Sequence, residues 1–300
     1  MENKRCVLCG KYDIELDDSN PLTIEHIIPK ALGNNSLKSY CLCKSCNSKL
    51  GEKIDADFIN SFDMQLIRKQ MGIKGRNGKP NPFKKGQDAS GHDIFVDDNM
   101  CPRIATYVET DENKIQIHTS SREDAKRIAQ TILSRRGQTQ DQIDIVLKKL
   151  DTIESKQYSP EISYNIEINF RKRLLAILKI AYEYACYKLD DSYYNDNRAN
   201  DIRCILQQEI DNCDEKEENL NIGIEIAPSE MKEVIDSFHK ICPQHHLLIL
   251  QSDELNRMIA TISLFGLFEN TYIVLLSNDA SKYLSNNDDL TDVIEIVTEG

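Results

Sequence analysis

An acid–histidine pair, Glu25 and His26, lies in the part of this 300-residue chain that carries most of its recognisable chemistry. A histidine near its ordinary pKa can take a proton from water at physiological pH, which is a requirement of hydrolysis. The other five histidines have no comparable surroundings in the sequence, and we expect them to be ordinary core or surface residues. The pair therefore predicts a hydrolytic site.

Two Cys-x-x-Cys pairs enclose the acid–histidine pair in the sequence: Cys6 with Cys9, and Cys43 with Cys46. Zn²⁺ binds four thiolates tetrahedrally, and each pair can supply two of them from one tight turn. A site closed by four thiolates has no open position for water, so we expect a structural zinc ion. Cys41 lies nearby, but its spacing does not fit a ligand, and we expect it to be a spare thiol.

The order Cys-x-x-Cys, then EHIIPKALG, then CKSCN resembles an HNH endonuclease of the ββα-metal type in which four cysteines clamp the motif. The resemblance covers about residues 1–60. It implies that His26 is the general base and that Glu25 and Asn47 bind a catalytic divalent cation, Mg²⁺ or another. Two alternatives stay open, since Glu25 could be a surface carboxylate and Asn47 could cap a helix.

A second asparagine orients the histidine in HNH proteins, and its place in this chain is not obvious. Between Asn35 and Asn47 the chain contains no asparagine. We expect Asn34, Asn35 or a backbone carbonyl to hold His26 instead.

The elements that must position these residues can be predicted from the same segment. Residues 23–28 are rich in β-branched side chains and end at Pro29, residues 31–39 form a polar loop, and a helix starts near Ser45. Neighbouring residues on a regular strand point to opposite faces. If Glu25 and His26 serve one site, the strand must end or bulge beside them.

Charge is distributed unevenly along the chain, whose net charge is −12. Residues 1–90 contain 15 basic and 11 acidic residues, a balance of +4, which leaves −16 for the remainder. Residues 68–86 form a basic arm with seven Lys or Arg and no acid, and the choice is between a linker and an arm that lies along phosphates. We favour the second. The residues predicted to contact nucleic acid are Lys49, Arg68, Lys69, Lys74, Arg76 and Lys79.

The remaining two thirds of the chain predict a larger domain of the α+β class with antiparallel strands. The strongest helical pattern covers residues 171–189, and alternation predicts a strand at 162–170. The predicted division is an HNH nuclease domain at residues 1–90 and an α+β domain at 91–300. The second domain is expected to act in recognition, regulation or dimerisation, through a regulatory partner or a second copy of the chain.

The sequence therefore predicts a divalent-metal-dependent endonuclease that hydrolyses phosphodiester bonds in DNA, with RNA not excluded as substrate. The alternative is a non-catalytic zinc module that binds nucleic acid or a protein. No apolar run is long enough to span a membrane, and residues 1–10 lack the apolar centre of a signal peptide, so a cytoplasmic protein is expected. The resemblance also implies a role in restriction or anti-phage (antiviral) defence. The sequence does not indicate a cleavage site or a choice between nicking and double-strand cutting.

Overall fold

The structure is a computed structural model that describes residues 5–75, 78, 80–111, 114–153, 161–211, 223–285 and 289–297. Contacts divide the chain into two compact units. The first consists of Met1–Pro80 together with Ile168–Gly300, and the second is Asn81–Glu167. This division differs from the predicted boundary at residue 90, because the N-terminal segment packs with the C-terminal part of the chain.

Runs of helices and runs of antiparallel strands follow one another along the chain, which is the pattern of the predicted α+β class. The helices are α1 Lys44–Leu50, α2 Ala56–Asn60, α3 Phe62–Gln70, α4 Arg122–Arg135, α5 Gln140–Thr152, α6 Phe170–Tyr194, α7 Asn197–Ile210 and α8 Lys232–Ile241. The strands are β1 Leu22–His26, β2 Lys38–Cys43, β3 Lys85–Gln87, β4 Asp93–Val96, β5 Pro102–Ile104, β6 Tyr107–Asp111, β7 Lys114–His118, β8 Ile224–Ile226, β9 His246–Ser252, β10 Met258–Ser263, β11 Thr271–Ser277 and β12 Leu290–Ile294.

The first unit begins with the predicted ββα arrangement. Strands β1 and β2 pair antiparallel, and α1 follows β2 directly, with Cys43 as its N-cap. The turn between the strands passes through Gly33, whose φ of 99° is accessible mainly to glycine. A Cβ atom at Gly33 would lie 2.5 Å from Ile296 Cγ2, so the C-terminal end of the chain covers this turn closely.

The C-terminal part of the first unit consists of α6, α7 and a five-stranded sheet in the order β12-β9-β10-β11-β8. The middle of α6, residues 175–186, is buried on all sides, so this part of the helix lies inside the core. Its residues share one hydrophobic core with residues of the N-terminal segment and of the sheet, for example Ile177, Leu42 and Leu248. The N-terminal segment therefore has no separate core of its own.

The second unit contains the sheet β3-β4-β5, the hairpin β6–β7 and the helical pair α4–α5. The strand predicted at residues 162–170 is wrong. Only Ser163 pairs, with Gln87, while Ile166 and Ile168 are about half exposed and α6 begins at Phe170. Among the described residues, no helix combines the length and the apolar character needed to cross a membrane.

Candidate functional site

The four predicted zinc ligands lie together. The Sγ atoms of Cys6, Cys9, Cys43 and Cys46 are all within 4.8 Å of one another, and those of Cys9 and Cys43 are 4.0 Å apart. Four thiolates bound to Zn²⁺ at about 2.3 Å would lie a little under 4 Å apart, so this cluster fits the ion. Cys41 is outside the cluster, with its Sγ atom 2.9 Å from Ser39 Oγ, as its spacing predicted.

Local backbone contacts and one thiol pair shape this cluster. The N–H of Gly10 donates to the carbonyl of Cys6, closing the first turn, and the N–H of Val7 donates to the carbonyl of Cys41, joining that turn to β2. A hydrogen bond with the Cys46 thiol lowers the pKa of Cys6 to about 5. This bond favours the thiolate form of Cys6, which is the form that zinc binds.

Glu25 and His26 end β1 on opposite faces of the hairpin. The pairing register shifts between Thr23 and Glu25, and the strand ends at His26, so both of the predicted irregularities are present. Glu25 is 7% exposed and points to α6. His26 is on the outer face opposite Lys38, and it is only partly buried.

Partial burial and nearby positive charge lower the pKa of His26. Burial is the largest cause, and the charges of Lys38, Lys30 and Lys179 act in the same direction. Lowering this pKa keeps the imidazole neutral at physiological pH, which is the form that can accept a proton from water. In the described part of the chain, no side chain or carbonyl forms a hydrogen bond with the His26 ring.

A buried lysine of α6 contacts Glu25. The Nζ atom of Lys179 lies 2.6 Å from Glu25 Oε1 and 2.8 Å from Asp55 Oδ2, and the Lys179 side chain is completely buried. Burial raises the pKa of Glu25, while the Lys179 charge opposes this shift. Burial alone would lower the pKa of Lys179, but the charges of Asp55, Glu183 and Glu25 raise it well above its usual value. The lysine is therefore a charged ammonium group surrounded by carboxyl groups.

Glu183 is the third carboxyl group beside this ammonium. It lies one helical turn after Lys179 on α6, with Oε2 3.7 Å from Nζ, and it is 1% exposed. Neither of its oxygens has a hydrogen-bond partner among the described residues. Burial raises the pKa of Glu183 well above its usual value, which favours the protonated form.

Asn47 is near the acid–histidine pair but does not cap a helix. It lies inside α1, whose N-cap is Cys43. Its Nδ2 donates to Thr23 Oγ1 at 3.0 Å and to the Ile24 carbonyl at 3.2 Å. These bonds fix α1 to β1 just before Glu25, and the remaining amide oxygen is the atom that could bind a cation.

Asn34, one of the residues expected to orient His26, has a different role. Its amide is buried, donating to the carbonyls of Ile28 and Leu37 and accepting from the N–H groups of Ser36 and Leu37. These four bonds organise the turn between the two strands and use the whole amide. Asn34 therefore does not contact the histidine ring.

Comparison with known protein families identifies the N-terminal segment. Residues 6–63 match the HNH endonuclease family. This segment is an HNH-family domain. The match contains the four cysteines, the acid–histidine pair, Asn47 and Asp55, and it ends well before α6. Comparison with curated proteins and with solved structures gives no match.

The predicted nucleic-acid contacts of the HNH segment and the basic arm fall into different environments. Arg68 is 5% exposed, with Nη1 3.4 Å from the Ile59 carbonyl, and this burial places it out of reach of a phosphate, contrary to the prediction. Lys49 is half exposed, and its Nζ lies 2.7 Å from Asp211 Oδ1. Lys69 and Lys74 are partly buried. Arg76 and Lys79 lie outside the described residues.

Sequence reasoning did not identify Lys179, Asp55 and Glu183. The one available signal was in α6, where Lys179 and Glu183 stand four residues apart within an otherwise apolar stretch. Lysine and glutamate are almost never fully buried unless they are paired, so such a pattern predicts a buried ion pair. It does not indicate that the remaining partners are in the HNH segment.

Proposed function

We propose that this protein is a divalent-cation-dependent endonuclease that hydrolyses phosphodiester bonds in DNA, with His26 as general base and with Glu25 and Asn47 as cation ligands. The observation that carries the proposal is a neutral, partly accessible histidine that directly follows Glu25 on β1, in an HNH-family domain where Asn47 is bonded to the same strand. A cation bound there would stabilise negative charge on the phosphate and on the departing 3′ oxygen. The four-cysteine cluster would hold the domain together with a structural zinc ion.

The face of the hairpin that carries His26 suits a polyanionic substrate. Lys38 lies opposite His26 on β2, and Lys30 follows in the short turn after β1. Tyr40, on the same face of β2 as Lys38, is 54% exposed. Lysines attract the phosphate backbone, and an aromatic ring can contact a sugar or a base. These side chains would attract a nucleic-acid backbone to the outer face of the hairpin, where His26 lies.

One observation favours the alternative, a zinc module that binds nucleic acid or protein without cutting. The Glu25 carboxylate already has a partner in Lys179, and a purely structural ion pair would account for that contact. The two functions give different results in one assay, because the module would bind DNA and leave it intact. Restriction of foreign DNA is a role that a nuclease of this kind would suit.

The test is cleavage of supercoiled plasmid by the zinc-loaded full chain, with Mg²⁺ or Mn²⁺ added or left out. Omitting the cation is preferable to adding EDTA, because a chelator would also remove the structural zinc. His26→Ala should abolish cleavage while leaving DNA affinity nearly unchanged, since the base acts on water in the transition state. His245→Ala, at a histidine outside the site, is the control. Cleavage by His26→Ala at the wild-type rate would refute the assignment of the base, and binding without cleavage by wild type would establish the alternative.

A further inference from the structure

Lys179 is buried at a position where an unpaired lysine would destabilise the folded protein. It lies in α6 between Leu178 and Ile180, which are both fully buried, and its own side chain has no exposed surface. Removing an ammonium group from water costs several kcal/mol, which is recovered only through close, well-oriented partners. Those partners belong to the HNH segment, since Glu25 and Asp55 both lie within 2.8 Å of Nζ.

The two bonds fix two different elements of the HNH segment to one atom. Glu25 is at the end of β1, and Asp55 is in the turn that leads from α1 into α2. An ammonium group has three donors, so it can hold both carboxylates at once. A carboxylate in turn has two oxygens, so Glu25 can keep Lys179 on Oε1 and present Oε2 to a cation.

The charges around Lys179 favour a further cation beside Glu25. The carboxyl groups of Glu25, Asp55 and Glu183 all lie within 3.7 Å of this one ammonium, so carboxyl groups outnumber positive charges there. Opposite charge within a few ångströms favours binding, and water is largely excluded from this position.

We propose that Lys179 is a positioning residue of the HNH site, which holds the Glu25 carboxylate in the orientation that binds the divalent cation. This inference rests on the proposed function. It also means that the matched segment, residues 6–63, lacks part of its own site, because a residue of α6 supplies it. Partners of metal ligands typically change cation affinity or activity about 10- to 100-fold when they are removed.

The experiment measures Mn²⁺ binding to the zinc-loaded full chain by electron paramagnetic resonance of the free ion, separately from cleavage. The Mn²⁺ binding that is lost in Glu25→Gln is the binding at the proposed site. Lys179→Met should weaken the Mn²⁺ affinity of that site about 10- to 100-fold. In a Glu25→Gln background, Lys179→Met should cause no further loss of Mn²⁺ affinity. A general structural defect would instead lower the affinity in both backgrounds.

The matched control is Lys172→Met on the same helix. Lys172 also pairs with the HNH segment, with Nζ 3.1 Å from Asp57 Oδ2 and 3.2 Å from the Lys53 carbonyl, but it does not contact Glu25. It should leave Mn²⁺ affinity within about twofold of wild type. If Lys179→Met does not fold, Lys179→Met combined with Glu183→Gln removes one buried carboxylate and carries the same test.

Each outcome decides a different claim. Wild-type Mn²⁺ affinity in a folded Lys179 variant would overturn the positioning role, whether or not the protein cuts DNA. Mn²⁺ binding that depends on Glu25 and Lys179, in a wild-type chain that does not cut, would support the positioning role and refute the nuclease proposal. A wild-type chain without Mn²⁺ binding at Glu25 would refute both.

Discussion

His246 makes the stability of the first unit sensitive to acid. Its ring is completely buried, with Nε2 3.1 Å from the Leu32 carbonyl and Nδ1 3.1 Å from the N–H of Phe265, which donates to it. One bond therefore joins β9 to the short turn that follows β1 in the HNH domain. Burial lowers the pKa of His246 from 6.5 to about 4, and the nearby His245 acts in the same direction.

The sign and size of the effect follow from proton linkage. Between pH 6.5 and about 4 the unfolded chain binds a proton at His246 and the folded chain does not. The free energy of unfolding therefore keeps its full value above the unfolded pKa of 6.5. It decreases as pH falls through this window. The whole shift corresponds to about 3 kcal/mol, of which about 1.4 kcal/mol is already lost at about pH 5.5.

The assay is urea unfolding of wild type and His246→Gln at about pH 7.5 and about pH 5.5, a range chosen to limit acid release of the structural zinc. Glutamine keeps a donor for the Leu32 carbonyl and stays neutral. Its effect on the free energy of unfolding is therefore the same at both pH values. The variant should lose about 1.4 kcal/mol less than wild type between them. His118→Gln, which changes a histidine of the second unit, is the control. An equal loss in wild type and His246→Gln would refute the reasoning.

Two further predictions concern the zinc cluster and the shared core. Cys43→Ser should remove zinc and unfold the HNH domain. Cys242→Ser, far from the cluster in sequence, should keep about one Zn²⁺ per chain. Elemental analysis measures the zinc content and circular dichroism measures the folding. A fragment ending at residue 95 should fail to fold even with zinc, because its apolar residues pack against α6 in the full chain. A proton NMR spectrum of that fragment with well-dispersed signals would contradict this.

The site could be predicted where its residues are close in sequence and could not where they are distant. The spacing of Cys43 and Cys46 alone indicated thiolates on one turn, and the clustering of the four Sγ atoms confirms it. Local periodicity likewise gave α6 within a few residues of its ends. Lys179 contacts Glu25 across 154 residues, and no local pattern encodes that pairing. Arg68 shows a second limit, because composition identified a basic stretch but could not show that this guanidinium is buried.

The same 154-residue separation has a consequence for how the protein is made. At roughly 5–20 residues per second, α6 leaves the ribosome roughly 8–30 s after β1. During that interval the zinc knuckle can close, but Leu42, Ile54 and Phe58 lack the helix that buries them in the finished molecule. The whole of Asn81–Glu167, a compact unit by itself, is synthesised in between. The nascent HNH domain therefore exposes its apolar side for as long as the second unit takes to emerge.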